Sequence, residues 1–392
     1  INATARYLLK LLALTAVYYL SARIGLLIQP FGYHVSAIWP PAGIMVVALF
    51  SWGANLWPAI VLGELALNVF SATPLYGTLG FAFSNTIHAT LSVYLLRIVV
   101  QFQPSLKNVR DAVGLILASA LVASAVSSSI GMIFRYVLQG GMPLDRIIRG
   151  LSTWWVADAV SVIAISPLLF SVVAGLKFPP ARQRIRPLEI LIAWSLLGIV
   201  LLLVLFGPIR QPALVFPVIV WLALRSGIRE TSLGVFLTST AFSLDAMNPG
   251  GVFAQGAQSV DLVSLNVTIG LVAVTGVVLA AVSAERDQYE MELVQANTTL
   301  EEKVQERTQS LQHALDNVKT LSGLLPICSH CKKIRNDKGY WQAVEGYVSD
   351  HSQAEFTHGI CPDCMQIHFP DVIKRQQQSK DNEDHAHYPG RQ

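Results

Sequence analysis

Four cysteines stand near the end of this 392-residue chain, in two pairs: Cys328-Ser329-His330-Cys331 and Cys361-Pro362-Asp363-Cys364. The chain has no other cysteine, and 29 residues separate the pairs. Two Cys-x-x-Cys knuckles at that separation can bring four thiolates to one tetrahedral point, the ligand set of structural zinc. The same four sulfurs suit iron. Lys332, Lys333 and Arg335 beside the first pair also leave a dithiol redox switch open, because neighbouring cations favour the reactive thiolate. Covalent haem is excluded, since neither pair is followed by His. The module around them, residues 326–372, is far below the roughly 70–80 residues at which an apolar core suffices, and a bound metal would supply the missing stability.

What precedes the cysteines reads as membrane. Hydrophobic residues make up 53% of the chain, only 14% are charged, and the mean hydropathy is +0.49. Such values belong to polytopic membrane proteins. The charge is divided: residues 1–283 hold 16 Lys and Arg against 8 Asp and Glu, and residues 284–392 hold 12 against 17. The basic excess is scattered through short loops, whereas a nucleic-acid-binding chain gathers it on one soluble surface, so no nucleic-acid partner is expected. The chain opens at Ile1 without a small-residue cleavage site after its first apolar stretch, and no removable signal peptide is expected.

A helix needs roughly 20 apolar residues to cross a bilayer, with about 17 tolerated. Ten apolar segments qualify or nearly so, near 6–28, 37–52, 54–71, 78–100, 110–138, 148–175, 188–207, 212–225, 231–246 and 262–283. Two are short, which predicts an all-α polytopic bundle of 8–10 transmembrane helices in contact with lipid. With ten crossings, one side holds Arg6, Lys10, Arg97, Lys107, Arg110, Lys177, Arg182, Arg184, Arg186, Arg225 and Arg229, and the other Arg135, Arg146, Arg149 and Arg210. Positive loops stay inside, which places both termini in the cytoplasm. Thiols there are reduced, so the cysteine pairs read as metal ligands or redox groups rather than disulfides.

Polar residues within the apolar segments are the second candidate site. Glu64, Asn68, Asn85, His88, Asp158 and Asn266 all lie deep, and polar groups at that depth must pair or line a wet cavity. Glu64 and Asn68 are four apart and Asn85 and His88 three apart, so each pair shares a helix face. Interhelical hydrogen bonding that holds the bundle together is one reading. A pocket for a small-molecule signal is the other. Trp39-Pro40-Pro41 and Trp57-Pro58 put prolines where helices start or where loops line a cavity.

These residues carry a resemblance. Trp39-Pro40-Pro41-Ala42-Gly43-Ile44, Trp57-Pro58 with Gly63, Trp155 and Asp158-Ala159 with Pro167-Leu168-Leu169, and Leu279-Ala280-Ala281 before Glu285-Arg286 together resemble the first type of membrane-associated sensor domain (MASE) of bacterial signalling proteins. The resemblance covers about residues 7–284. It implies an inner-membrane sensory module of eight or more helices, usually fused to a histidine kinase, a diguanylate cyclase or a phosphodiesterase. The cysteine region, with Lys338-Gly339-Tyr340-Trp341 between the knuckles, resembles a short C-terminal tail of bacterial two-component and sensor proteins with no assigned reaction. Rubredoxins resemble it in spacing, but they carry Gly after each knuckle where this chain has Lys332 and Met365.

Between membrane and cysteines the composition turns polar with a heptad repeat. Val304, Leu311, Val318 and Leu325 recur every seven residues, and Asn297 extends the series back. Leu293, Leu300, Ala314 and Leu321 take the complementary position, interrupted by Arg307. These are the a and d positions of a parallel coiled coil, so a homodimer through residues 290–325 is expected. After Ala284 no kinase, cyclase or phosphodiesterase motif is found, which predicts a chain that is not an enzyme. The expected organisation is a membrane sensor domain (1–284), a coiled-coil signalling helix (285–325), a zinc-knuckle-like module (326–372) and a disordered tail (373–392). Such a chain senses an unknown signal and presents its output to a cytoplasmic signalling partner. The alternative is a transporter or channel with a regulatory tail, since intramembrane polar residues also mark transport paths.

Overall fold

The computed structural model describes residues 2–30, 36–69, 73–177, 187–207, 209–255, 259–316 and 324–375. Val318 and Leu321 of the heptad series, Arg182, Arg184 and Arg186 of the charge tally, and most of the expected tail lie outside those residues. The chain divides into two compact units, Ile1–Val294 and Gln295–Gln392.

The first unit is helical where the apolar segments fall. Its helices are α1 (Ala3–Leu27), α2 (Pro40–Trp52), α3 (Pro58–Asn68), α4 (Leu75–Val100), α5 (Val109–Leu138), α6 (Leu144–Lys177), α7 (Pro187–Leu205), α8 (Val215–Arg225), α9 (Ile228–Asp245) and α10 (Leu262–Asp316). Among the described residues, six are long and apolar enough to cross a membrane: α1, α4, α5, α6, α7 and α10. That is fewer than eight to ten: α9 is 18 residues long but too polar, and α2, α3 and α8 are too short. Pro40 starts α2 and Gly53, with φ 122°, stops it after 13 residues. At 1.5 Å per residue α2 is only about 20 Å long, short of the roughly 30 Å hydrocarbon layer. Pro58 likewise opens α3, using the first-turn position where a missing N–H costs nothing. Pro167 does not interrupt α6, which runs through it.

Two apolar clusters hold the bundle. One joins α1 to α4 through Leu14, Met45, Leu49, Leu56, Ile60 and Val93. The other runs from α2 through α10 and centres on Phe170, which packs with Phe50 and Phe102 at ring-centroid distances of 5.5 and 4.9 Å. Gly43 lets α2 lie against α6, because a Cβ there would stand 2.6 Å from the Ser161 carbonyl oxygen. Leu188, Leu191, Leu202 and Phe206 in and just after α7 are exposed, as on a lipid-facing helix. A two-residue ribbon, β1 (Ala254–Gln255) with β2 (Ser259–Val260), precedes α10.

Two helices contain π turns, Leu95–Val100 ending α4 and Leu115–Ala123 inside α5. Such widened turns shift register locally. Along α4, Ser84, His88 and Ser92 recur every four residues. Their partners on α5 are Ser127, Ser124 and Ser119, and the five-residue step from 119 to 124 crosses the π segment. The widened turn keeps all three pairs in register.

In the second unit, β3 (Ile334–Arg335) pairs with β4 (Trp341–Gln342) across a turn with Gly339 at φ 88°. Asn336 Oδ1 accepts the N–H groups of Lys338 and Tyr340 within it. Helices α11 (Val344–His351) and α12 (Pro362–His368) follow. The core is small: Ile334 and Tyr347 are buried, and Tyr347 stacks on His351 at 4.1 Å.

Candidate functional sites in the bundle and the cysteine module

Glu64, on α3, sits at the centre of a buried polar cluster. Its Oε2 accepts the Tyr18 hydroxyl of α1 at 2.5 Å and the Asn85 amide of α4 at 3.3 Å. Its Oε1 accepts the Asn68 amide at 3.1 Å, one turn along the same helix. Asn85 also donates to the Tyr18 oxygen at 2.9 Å. Glu64 and Tyr18 are 4% and 1% exposed, so the carboxyl exchanges water for three neutral donors. No Lys or Arg pairs with it among the described residues. Gly63 explains how Tyr18 reaches this point, since a Cβ at 63 would lie 2.5 Å from the tyrosine ring.

His88, one turn from Asn85 on α4, is buried with Nε2 3.1 Å from the Ser124 hydroxyl of α5. A cavity of about 10 Å³ lies between the two sets, lined by Tyr18, Trp39, Pro41, Asn85 and His88 among others. That is room for one water, which needs two to four polar partners, and Tyr18, Asn85 and His88 can provide them. The Trp39 loop is fixed over it by the Trp39 N–H, which donates to Ser161 Oγ at 2.7 Å.

Four of the six expected polar residues, Glu64, Asn68, Asn85 and His88, therefore meet in one place. Asp158 is buried on α6 and makes no hydrogen bond to the cluster among the described residues. Asn266 sits on α10, and its buried Oδ1 has no hydrogen-bond partner among the described residues. Tyr18 and Ser124 were not singled out from sequence. The repeated serines at 124, 127, 128 and 129 in an apolar helix, and a tyrosine at mid-span in α1, were the available signals.

The cysteines stand as two knuckles. At the first, Cys328 N–H donates to the Lys333 carbonyl at 2.9 Å and Lys332 N–H to the Cys328 carbonyl at 3.0 Å. Lys332 occupies φ 59°, the left-handed conformation that Gly adopts without cost. The backbone N–H of Cys331, then that of His330, is directed at the Cys328 sulfur and holds its thiol below the ordinary value. At the second knuckle the Cys364 N–H donates to Cys361 Sγ at 3.5 Å, and the Cys361 thiol is lowered by the same cause. Each pair thus has the N–H cradle that suits a metal thiolate. Cys328 is half-buried and the other three are exposed. Among the described residues no three or more His, Cys, Asp or Glu side chains gather into one metal site.

Comparison with known proteins bears on the whole bundle. The MASE1 family matches residues 10–287. The chain is also 27% identical over 177 residues to "Probable diguanylate cyclase DgcE" of Escherichia coli (strain K12). That match covers 44% of this chain and 15% of the relative's length. No solved structure matches the chain. The expectation of a chain that is not an enzyme is overturned here, because the similarity is to an enzyme. The absence of a motif after residue 284 was therefore too narrow a criterion.

Proposed function

The chain belongs to the MASE1 family, and from that premise we propose that it is the sensing and relaying part of an enzymatic signalling system in a bacterial cytoplasmic membrane. The signal acts at the Tyr18–Glu64–Asn85–His88 cluster. The relay is α10, and the regulated reaction is of the diguanylate cyclase type named for the relative. The observation that carries this reading is that α10 is one 55-residue helix. Its first part is buried in the bundle through Leu265, Ile269, Val272, Val277 and Ala280, and its later part presents Leu293, Leu300, Val304 and Leu311 to solvent. No Gly or Pro follows Gly276 to break it.

Those exposed heptad residues support a homodimer, because apolar a and d positions gain most when buried against a second copy. The basic-residue asymmetry supports cytoplasmic termini. The N–H cradles of the two knuckles support one metal ion held by Cys328, Cys331, Cys361 and Cys364, with zinc favoured over iron. Zinc would supply fold stability rather than chemistry, drawing the two pairs together so that the module can face a cytoplasmic partner.

The test uses membranes containing the full chain together with a diguanylate cyclase, assayed for cyclic diguanylate formation from GTP with and without the chain. A Pro inserted after Asp287 should uncouple the relay and change output, whereas unchanged output in that variant refutes it. Cyclase output that does not depend on the chain refutes the named reaction. Solute flux through purified protein in liposomes would instead favour transport. Metal analysis of the purified chain should return one zinc per chain.

A further inference from the structure

Helix α10 is tied to its neighbours by two polar bonds near residue 284. Ser283 Oγ donates to the Leu224 carbonyl in the last turn of α8, at 3.2 Å. Two residues on, Glu285 Oε2 accepts the backbone N–H of Val109 at 2.8 Å. Val109 is the first residue of α5, and the side chain of Asn108 before it makes no capping bond. A carboxylate from a distant helix therefore does what a local cap residue ordinarily does. It satisfies an orphan N–H and meets the positive end of the helix dipole. The adjacent cation does not compete for it: Arg286 pairs with Asp287 and Glu290 at 3.1 and 3.5 Å.

The helix capped in this way also carries the far wall of the polar cluster. Ser124 meets His88, and Ser119 donates to Ser92 at 2.8 Å. The π segment Leu115–Ala123 contains Ser119 and separates Ser124 from the capped end. Val109, Ser119 and Ser124 belong to one continuous helix, so movement at Ser119–Ser124 has a route to Val109 through its backbone.

We infer that Glu285 is a positioning residue: it clamps α10 to the start of α5, so that a shift of α5 at the polar cluster is delivered to the relay helix at residue 285. The input end of this inference rests on the proposed sensor reading; the clamp itself does not.

Hydrogen exchange of the full chain in lipid nanodiscs tests it, read over residues 108–114 and 283–294. Glu285→Ala should quicken exchange in both segments by about fivefold, the effect of one lost cap. Glu285→Gln, which keeps an acceptor oxygen, should stay nearer the parent. Val109→Pro removes the donor instead. Pro is favoured at a first helical position, and Asn108 already has the extended backbone (φ −115°, ψ 143°) that a following Pro requires. This variant should loosen 283–294 as much as Glu285→Ala does, and the double variant no further. Additive effects, or no change at 283–294 in either single variant, overturn the clamp. A failed sensor reading looks different: Glu64→Gln would leave cyclase output unchanged while the clamp pair stays non-additive, which upholds the clamp.

Discussion

Replacing Tyr18 by Phe removes one oxygen from the middle of the polar cluster and leaves the ring that fills the space beside Gly63. The lost hydroxyl donates to Glu64 at 2.5 Å and accepts from Asn85 at 2.9 Å. In a soluble core a hydrogen bond to a charged group is worth about 1.5–3 kcal/mol. Interhelical bonds in membranes are weaker, averaging about 0.6 and reaching about 1.7 kcal/mol, because the separated helices also find partners. The short bond to a carboxyl belongs near the upper figure and the neutral bond to Asn85 near the average. Tyr18→Phe should therefore destabilise the bundle by about 2 kcal/mol. In a Glu64→Met background the acceptor is gone, and the same replacement should cost about 0.6 kcal/mol or less. The assay is reversible unfolding in lipid–detergent mixed micelles by titration with a denaturing detergent, with all four proteins measured together. A coupling energy below about 0.3 kcal/mol, within the scatter of independent sites, would refute the claim that Tyr18 and Glu64 act as a unit.

Other outcomes follow from the same geometry. Gly63→Ala should displace the Tyr18 ring and destabilise the bundle by more than Tyr18→Phe does, since a Cβ 2.5 Å from a ring atom cannot be accommodated without movement. Equal stability of Gly63→Ala and parent, in the same detergent titration, would contradict that packing. Val304→Asp should convert a dimer to a monomer in sedimentation, because a charge at an a position is buried against its own copy. Persistence of the dimer would remove residues 290–325 as its basis. In metal-free protein, alkylation of Cys328 and Cys361 should reach half its limiting rate at a lower pH than for a free cysteine peptide, because backbone N–H groups lower both thiols. The excess reactivity lies between the lowered and the ordinary thiol values and vanishes below both. A profile that matches the peptide would show that the N–H cradles are not formed in solution.

Much of the fold was legible before any coordinates, for a physical reason. Hydropathy and proline placement act within a single segment, so all ten apolar stretches appear as helices close to where composition puts them. Pro40, Pro58 and Gly53 set the ends of α2 and α3 by backbone constraints that are local too. Periodicity likewise placed Glu64 with Asn68 and Asn85 with His88. The cysteine pairs were equally plain, because Cys-x-x-Cys spacing is itself a local loop geometry, and Lys332 takes up the left-handed conformation its place in the knuckle demands.

What sequence could not decide was which faces meet. Tyr18 joins Glu64 across 46 residues of chain, and Glu285 reaches Val109 across 176. No spacing rule links positions so far apart, because their proximity is set by helix packing through Gly43, Gly63 and the two apolar clusters. The same packing separates Asn266 from the cluster, although its residue type and depth made it look equivalent. Composition fixed that this chain lies in a membrane and where its helices begin and end. Tertiary contact alone chose which four polar residues share a site, and which carboxylate of α10 caps the start of α5.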